Sequence, residues 1–175
     1  GPATQIPLPS GERPGEGSEA PLRPVSGIEK IGHNLKFDLS VLLAHGVEVA
    51  GPFFDTMLAH SLIEPDQRHG MDYLAESMLG YTPIPISALI GTEKNDLFSQ
   101  STMADVAASN PQKITDYAAE DADVTWQLAE KLRLLLKQFG AERVFYEIEC
   151  PLLPVLTSME HEGVAIDVQA LREFG

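Results

Sequence analysis

Cysteine occurs once, at Cys150. A single thiol excludes an internal disulfide framework and any zinc site built on paired cysteines, and it fits a reducing compartment. No run approaches the roughly 18–20 consecutive apolar residues that a membrane helix needs, so an integral membrane protein is excluded. Basic residues are scarce: 12 Lys and Arg stand against 26 Asp and Glu, a net charge of −14. Side chains alone therefore cannot form the basic stripe that neutralises phosphates. Two readings remain, a solvated acidic surface or carboxylates that hold divalent cations. Bound cations invert the local sign and let an anionic substrate approach. No charged-then-apolar leader opens the chain and Gly1 stands where a methionine would, so the polypeptide reads as a fragment or a processed piece.

What is present suffices for a core, since 43% of the 175 residues are hydrophobic and a domain of this size buries most of its chain surface. Residues 1–27 hold six Pro and five Gly without helical period; they read as at most one short strand, Thr4 to Leu8, and a loop. Ile28 to Gly32 is an expected strand. Leu35 to Ala44 is an expected helix with Asn34 as N-cap and Gly46 as its stop. Val47 to Ala50 and Val164 to Ile166 alternate like strands. Asp55 is placed to cap a helix ending at Ile63, Asp72 one ending at Gly80, and Asp167 a last helix. Tyr81 to Gln100 reads as irregular with one turn near Ser87 to Ile90, and Met103 to Ala108 as a short helix. The clearest element runs from the Asn110-Pro111 cap to Phe139 with Gly140 as its stop. A helix from Glu142 to about Glu162 carries Pro151 and Pro154 and should kink there. The whole is α/β, with helix in the majority and three or four short strands.

Two aspartates fall on apolar stripes. Ile114, Tyr117, Ala118, Asp121, Val124, Thr125, Leu128 and Leu132 share one helix face. Leu35, Asp38, Val41, Leu42 and His45 share another. Glu120 and Asp123 project elsewhere and read as solvated. An inward carboxylate is costly unless hydrogen-bonded, paired or bound to metal. Each acid has a polar residue one turn earlier, Asn34 before Asp38 and Tyr117 before Asp121. Either each Asp is satisfied by nearby backbone or a lysine, or the two converge on a hard cation, Mg²⁺ or Mn²⁺, through oxygen ligands. Two such ions about 4 Å apart would activate a water and stabilise the leaving oxygen of a phosphodiester, with a tyrosine hydroxyl orienting that water. Two carboxylates are too few for two ions, so more must come from another strand. His33, His45, His60, His69 and His161 lack metal-type spacing and read as surface or capped-loop residues. Trp126 reads as packing, and Leu132 to Leu136 as packing against the next helix.

Four ordered blocks carry a resemblance: Lys30 to Asp38 (KIGHNLKFD), Phe54 to Leu58 (FDTML), Arg68 to Glu76 (RHGMDYLAE) and Tyr117 to Thr125 (YAAEDADVT). Together they resemble the 3′–5′ proofreading exonuclease domain of bacterial family A DNA polymerases, the DNA polymerase I type. The run from Glu149 to Asp167 resembles the passage into the polymerase domain.

The resemblance implies a ribonuclease H-like α/β exonuclease fold, helix-rich and lacking its first strand or strands. It divides the chain into a partial strand and loop at 1–27, an incomplete exonuclease domain at 28–140 and the start of the polymerase domain at 141–175. It implies two-metal hydrolysis of 3′-terminal DNA phosphodiesters, with Asp38 and Asp121 as ligands of Mg²⁺ or Mn²⁺ and Tyr117 as the water-orienting group. Asn34 and Arg68 match positions facing the single-stranded 3′ end of DNA. The implied partners are that DNA and the remainder of the polymerase chain, in a bacterial, nucleoid-associated cytoplasmic setting and without a membrane. The family's Asp-x-Glu pair has no counterpart, because residues 1–27 contain no Asp. The chain alone is therefore expected to be inactive. The rival readings are a non-catalytic scaffold that supports a polymerase and a free-standing exonuclease of the ribonuclease D kind.

Overall fold

The structure is a computed structural model that describes residues 27–90 and 102–174. The expectations for Thr4 to Leu8 and for residues 91–100 lie outside these. Two short strands, β1 (Lys30–Gly32) and β2 (Phe53–Asp55), pair in parallel with Ile31 opposite Phe54. A parallel pair needs a crossover, here supplied by α1 (Leu35–Ala44). The helices α2 (Thr56–Ile63), α3 (Met71–Leu74), α4 (Ile86–Ile90), α5 (Met103–Ser109) and α6 (Pro111–Gln138) follow. Then come α7 (Glu142–Val144), α8 (Cys150–Glu162) and α9 (Val168–Phe174). The described residues are thus helix-rich α/β, as the sequence predicts.

Several local signals behave as read. Asn110 accepts the Lys113 amide at the start of α6, Pro111 fills its first turn, and Gly140 stops it at φ 68°. Thr102 and Asp105 close a reciprocal capping box on α5. Asp167 accepts the Gln169 and Ala170 amides and starts α9.

Others are corrected. Val47 to Ala50 and Val164 to Ile166 form no strand. Val47, Glu48, Ala50 and all of 164–166 are exposed, Val164 at 89%, and alternation without a partner edge to complete its hydrogen bonds does not make a strand. The helix expected to begin at Asp72 starts at Met71, behind Gly70, and passes into a π-helical turn over Ala75–Leu79 before Gly80. The expected proline kink appears as a second π-helical turn, Phe145–Glu149, directly ahead of Pro151. There the missing proline amide removes an ordinary i to i−4 bond.

One apolar cluster joins Phe54, Ala59, Leu74, Leu128, Leu132, Leu136 and Phe145. Its rim is clamped by Arg133, whose guanidinium carbon lies 4.1 Å from the centre of the Phe54 ring while its nitrogens reach Glu29 and the Tyr146 hydroxyl. A second cluster, Leu35, Leu39, Phe53 and Leu153, seats α1 on α8. This corrects the expected face of α1. Leu35 and Leu39 point inward, whereas Asp38, Val41, Leu42 and His45 are exposed. The α6 stripe is buried from Val124 onward, but Tyr117 and Asp121 are only half-buried because the helix there leaves the core for a cleft.

A two-carboxylate cleft at the end of β1

Asp55 builds one wall. It ends β2, is 1% exposed, and its carboxylate accepts four backbone amides. Oδ1 takes Asn34 at 3.2 Å, Met57 at 2.9 Å and Leu58 at 3.2 Å; Oδ2 takes Leu35 at 2.7 Å. The expected cap of α2 is there, and the same side chain also caps α1. Asn34 does not cap with its side chain. It sits in the left-handed region at φ 63° and presents its amide to Asp55. Asp55 thereby fixes the first turn of α1, on which Asp38 stands.

Asp38 and Asp121 both line one cleft of about 350 Å³. Ile31, Gly32 and His33 supply its β1 side, and Ala122, Thr125 and Trp126 of α6 face them. The opening lies beyond the carboxyl end of a parallel strand, where α/β sheets generally bind ligands. Neither aspartate is in a salt bridge among the described residues. The Asp38 side chain is on the exposed flank of α1, yet its carboxyl is partly desolvated by the cleft. That desolvation, with the charge of Asp55, pushes its pKa up. Burial likewise pushes Asp121 up, and the charges of Glu120 and Asp72 add to this while the Tyr117 hydroxyl counters it. Burial and the Asp121 charge raise the Tyr117 phenol in turn. Two desolvated carboxylates without a cationic side chain are hard oxygen donors suited to a divalent cation. Among the described residues no group of three His, Cys, Asp or Glu side chains could hold a metal.

Tyr117 lies one turn before Asp121, with its hydroxyl against that carboxylate but off the cleft lining. Asn34 borders an adjoining small cavity with Asp55 and Lys36 rather than the cleft. Arg68 is exposed on the turn between α2 and α3. Trp126 corrects the packing expectation, being 56% exposed in the cleft wall. Glu120 is no free surface acid, since it accepts the Tyr81 hydroxyl and the Ile84 amide and ties down the segment after Gly80. His60 is buried and bonded to His69, against the surface reading. Sequence reasoning also missed His33 and Met71 on the cleft; both lie inside blocks quoted above, which was the available signal.

The fold and cleft define a helix-rich α/β domain with paired acids at a strand end. Residues 22–137 match the 3′-5′ exonuclease family of A-type DNA polymerases, and the chain belongs to that family. It is 40% identical over 143 residues to the DNA polymerase I of Rhizobium leguminosarum, which covers 81% of this chain and 13% of that protein. Against the DNA polymerase I of Chloroflexus aurantiacus it is 38% identical over 83% of this chain and 15% of the relative. Against that of Borreliella burgdorferi it is 34% identical over 81% and 14%. The chain therefore spans about one seventh of the curated relatives it matches. Among the described residues no helix is long and apolar enough to cross a membrane.

Proposed function

We propose that the chain is part of the 3′–5′ exonuclease module of a DNA polymerase I-type enzyme, with a ribonuclease H-like fold, and that the module removes nucleotides from single-stranded DNA 3′ ends. The observation that carries this reading is that Asp38 and Asp121, from two different helices, line one cleft, with no salt bridge to either among the described residues. Residues 28–140 would form the exonuclease part and 141–175 the opening of the polymerase part. The whole protein would work in the bacterial cytoplasm beside the nucleoid, in replication and repair.

Asp38 and Asp121 would hold one side of a Mg²⁺ or Mn²⁺ pair. Such ions supply the positive charge that a phosphodiester needs as negative charge develops on its oxygens. The Tyr117 hydroxyl, set by Asp121, would orient a water in line with the scissile bond. The water oxygen then bonds to phosphorus, the 3′ oxygen of the neighbouring nucleotide leaves, and a nucleoside 5′-monophosphate is released. Asn34 and Arg68 would steer the single-stranded end, and the cation charge would offset the acidic surface. With two carboxylates on the cleft among the described residues and no Asp-x-Glu in residues 1–27, the chain by itself would be inactive and would bind DNA weakly.

The test is Mg²⁺-dependent release of 3′ nucleotides from single-stranded DNA by the intact protein. Wild type should degrade the strand and Asp121→Ala should not. Equal rates would remove Asp121 from the mechanism and favour a non-catalytic scaffold.

A further inference from the structure

Three histidines, none read from sequence as a group, link the turn that carries Arg68 to the cleft. His60 lies in α2 and is 4% exposed. Its Nδ1 meets Nδ1 of His69 at 2.8 Å, with the rings edge to face at 5.1 Å. The His33 ring faces the backbone carbonyl of His69. Its Nδ1 lies 2.9 Å from Thr56 Oγ1. Because the Thr56 hydroxyl donates to the Gly32 carbonyl, its oxygen is left to accept from His33. His33 then forms part of the cleft wall. The turn is otherwise held by the Gln67 amide on the Glu64 carbonyl at 3.1 Å and by the Tyr73 hydroxyl on Gln67 Oε1 at 3.0 Å.

We propose that His60 and His69 form a proton-sensitive latch, which holds the 64–70 turn against α2 near neutral pH and releases it in acid. A bond between two Nδ1 atoms needs one N–H and one lone pair. When both rings are protonated each Nδ1 carries a hydrogen and the bond is lost. Glu64 at the end of α2 acts on His60 directly, and His33 bears on His60 in turn, itself under the charges of Asp55 and of Asp72 on α3. Burial and the neighbouring His69 lower the affinity of His60 for a proton, outweighing Glu64. The closed latch thus favours a neutral His60. Its contribution is present above the ordinary histidine value of about 6.5 and is lost as pH falls through the lowered value of His60, where the second proton binds. His69 is a positioning residue, acting on Arg68 through the backbone and on His33 through its carbonyl.

The consequence for DNA binding rests on the exonuclease reading; the latch does not, so the test reads amide exchange rather than turnover. In the intact protein, exchange over residues 64–70 is compared at about pH 7.5 and 5.5 after correction for intrinsic rates. In wild type it should rise at least about fivefold in acid, the effect of losing one hydrogen bond. His69→Ala should show the raised level at both values. His69→Asn, whose side-chain oxygen accepts from His60 and does not titrate, should keep the neutral-pH protection in acid. Unchanged wild-type protection between the two values, or a full acid response in His69→Asn, would overturn the proposal. Neither result depends on the alanine variant folding.

Discussion

The carboxylate of Asp55 lies 2.7 Å from the amide of Leu35, twenty residues away along the chain. Through that contact one buried acid caps two helices, its own and the one that carries Asp38. Four amides converge on it, and the two from α1 have no intrahelical partner.

Replacing Asp55 should therefore cost more than an ordinary cap. Asp55→Ala strands four amides and is expected to destabilise by about 3 kcal/mol, roughly two caps together. Asp55→Asn keeps one acceptor oxygen and should cost about half as much. Urea unfolding of the variants checks both values. A loss below 1 kcal/mol for alanine, the scale of a single exposed cap, would mean that α1 does not depend on Asp55.

Gly32 sits where β1 turns into the cleft, and a Cβ there would overlap the buried Leu35 side chain. Gly32→Ala must push Leu35 out of its pocket, an overpacking cost of about 2 kcal/mol. Because Leu35 lies one turn before Asp38, a structure of the variant should show the first turn of α1 displaced. Thermal unfolding gives the energetic half of the prediction.

The acids and the tyrosine should separate kinetically. Asp38→Ala and Asp121→Ala are each expected to lower 3′ nucleotide release by more than about 10³-fold, since they would hold the cations. Tyr117→Phe removes only the hydroxyl that would orient water, and should lower the maximal rate about 10²-fold with little change in DNA affinity. Single-turnover assays with titrated DNA distinguish the two. A Tyr117→Phe effect confined to affinity would assign the hydroxyl to binding.

Cys150 is buried against the Phe54 cluster, and its thiol is pushed up to about 12, chiefly by burial. The thiolate fraction near pH 8 is then on the order of 10⁻⁴. A disulfide reagent should leave the folded protein untouched and react fully in denaturant. The sign for stability follows: the unfolded thiol ionises near pH 8.5 and the folded one near 12. Stability is therefore intact below about 8.5 and declines between these values. A pH series of urea midpoints, wild type against Cys150→Ala, isolates the contribution.

The legible part of the fold was the part with local causes. Asn110, Pro111 and Gly140 mark both ends of α6, and Asp167 marks the start of α9, because each acts on amides within a few residues. β2 was missed since Phe53–Asp55 is too short to show a period and forms only because β1 offers it an edge. The inward face of α1 was misassigned for a related reason. Its spacing allows several stripes, and Phe53 with Leu153 selects the one containing Leu35 and Leu39.

By itself the sequence determined where most helices begin and where they stop. Both are short-range properties of caps, prolines, glycines and side-chain spacing. Only the tertiary structure decided that Asp38 and Asp121 border one cleft, that Asp55 serves two helices, and that His60 reaches His69. Those contacts depend on the parallel pairing of β1 with β2 and on α6 crossing beside it, which bring together residues that no local rule relates.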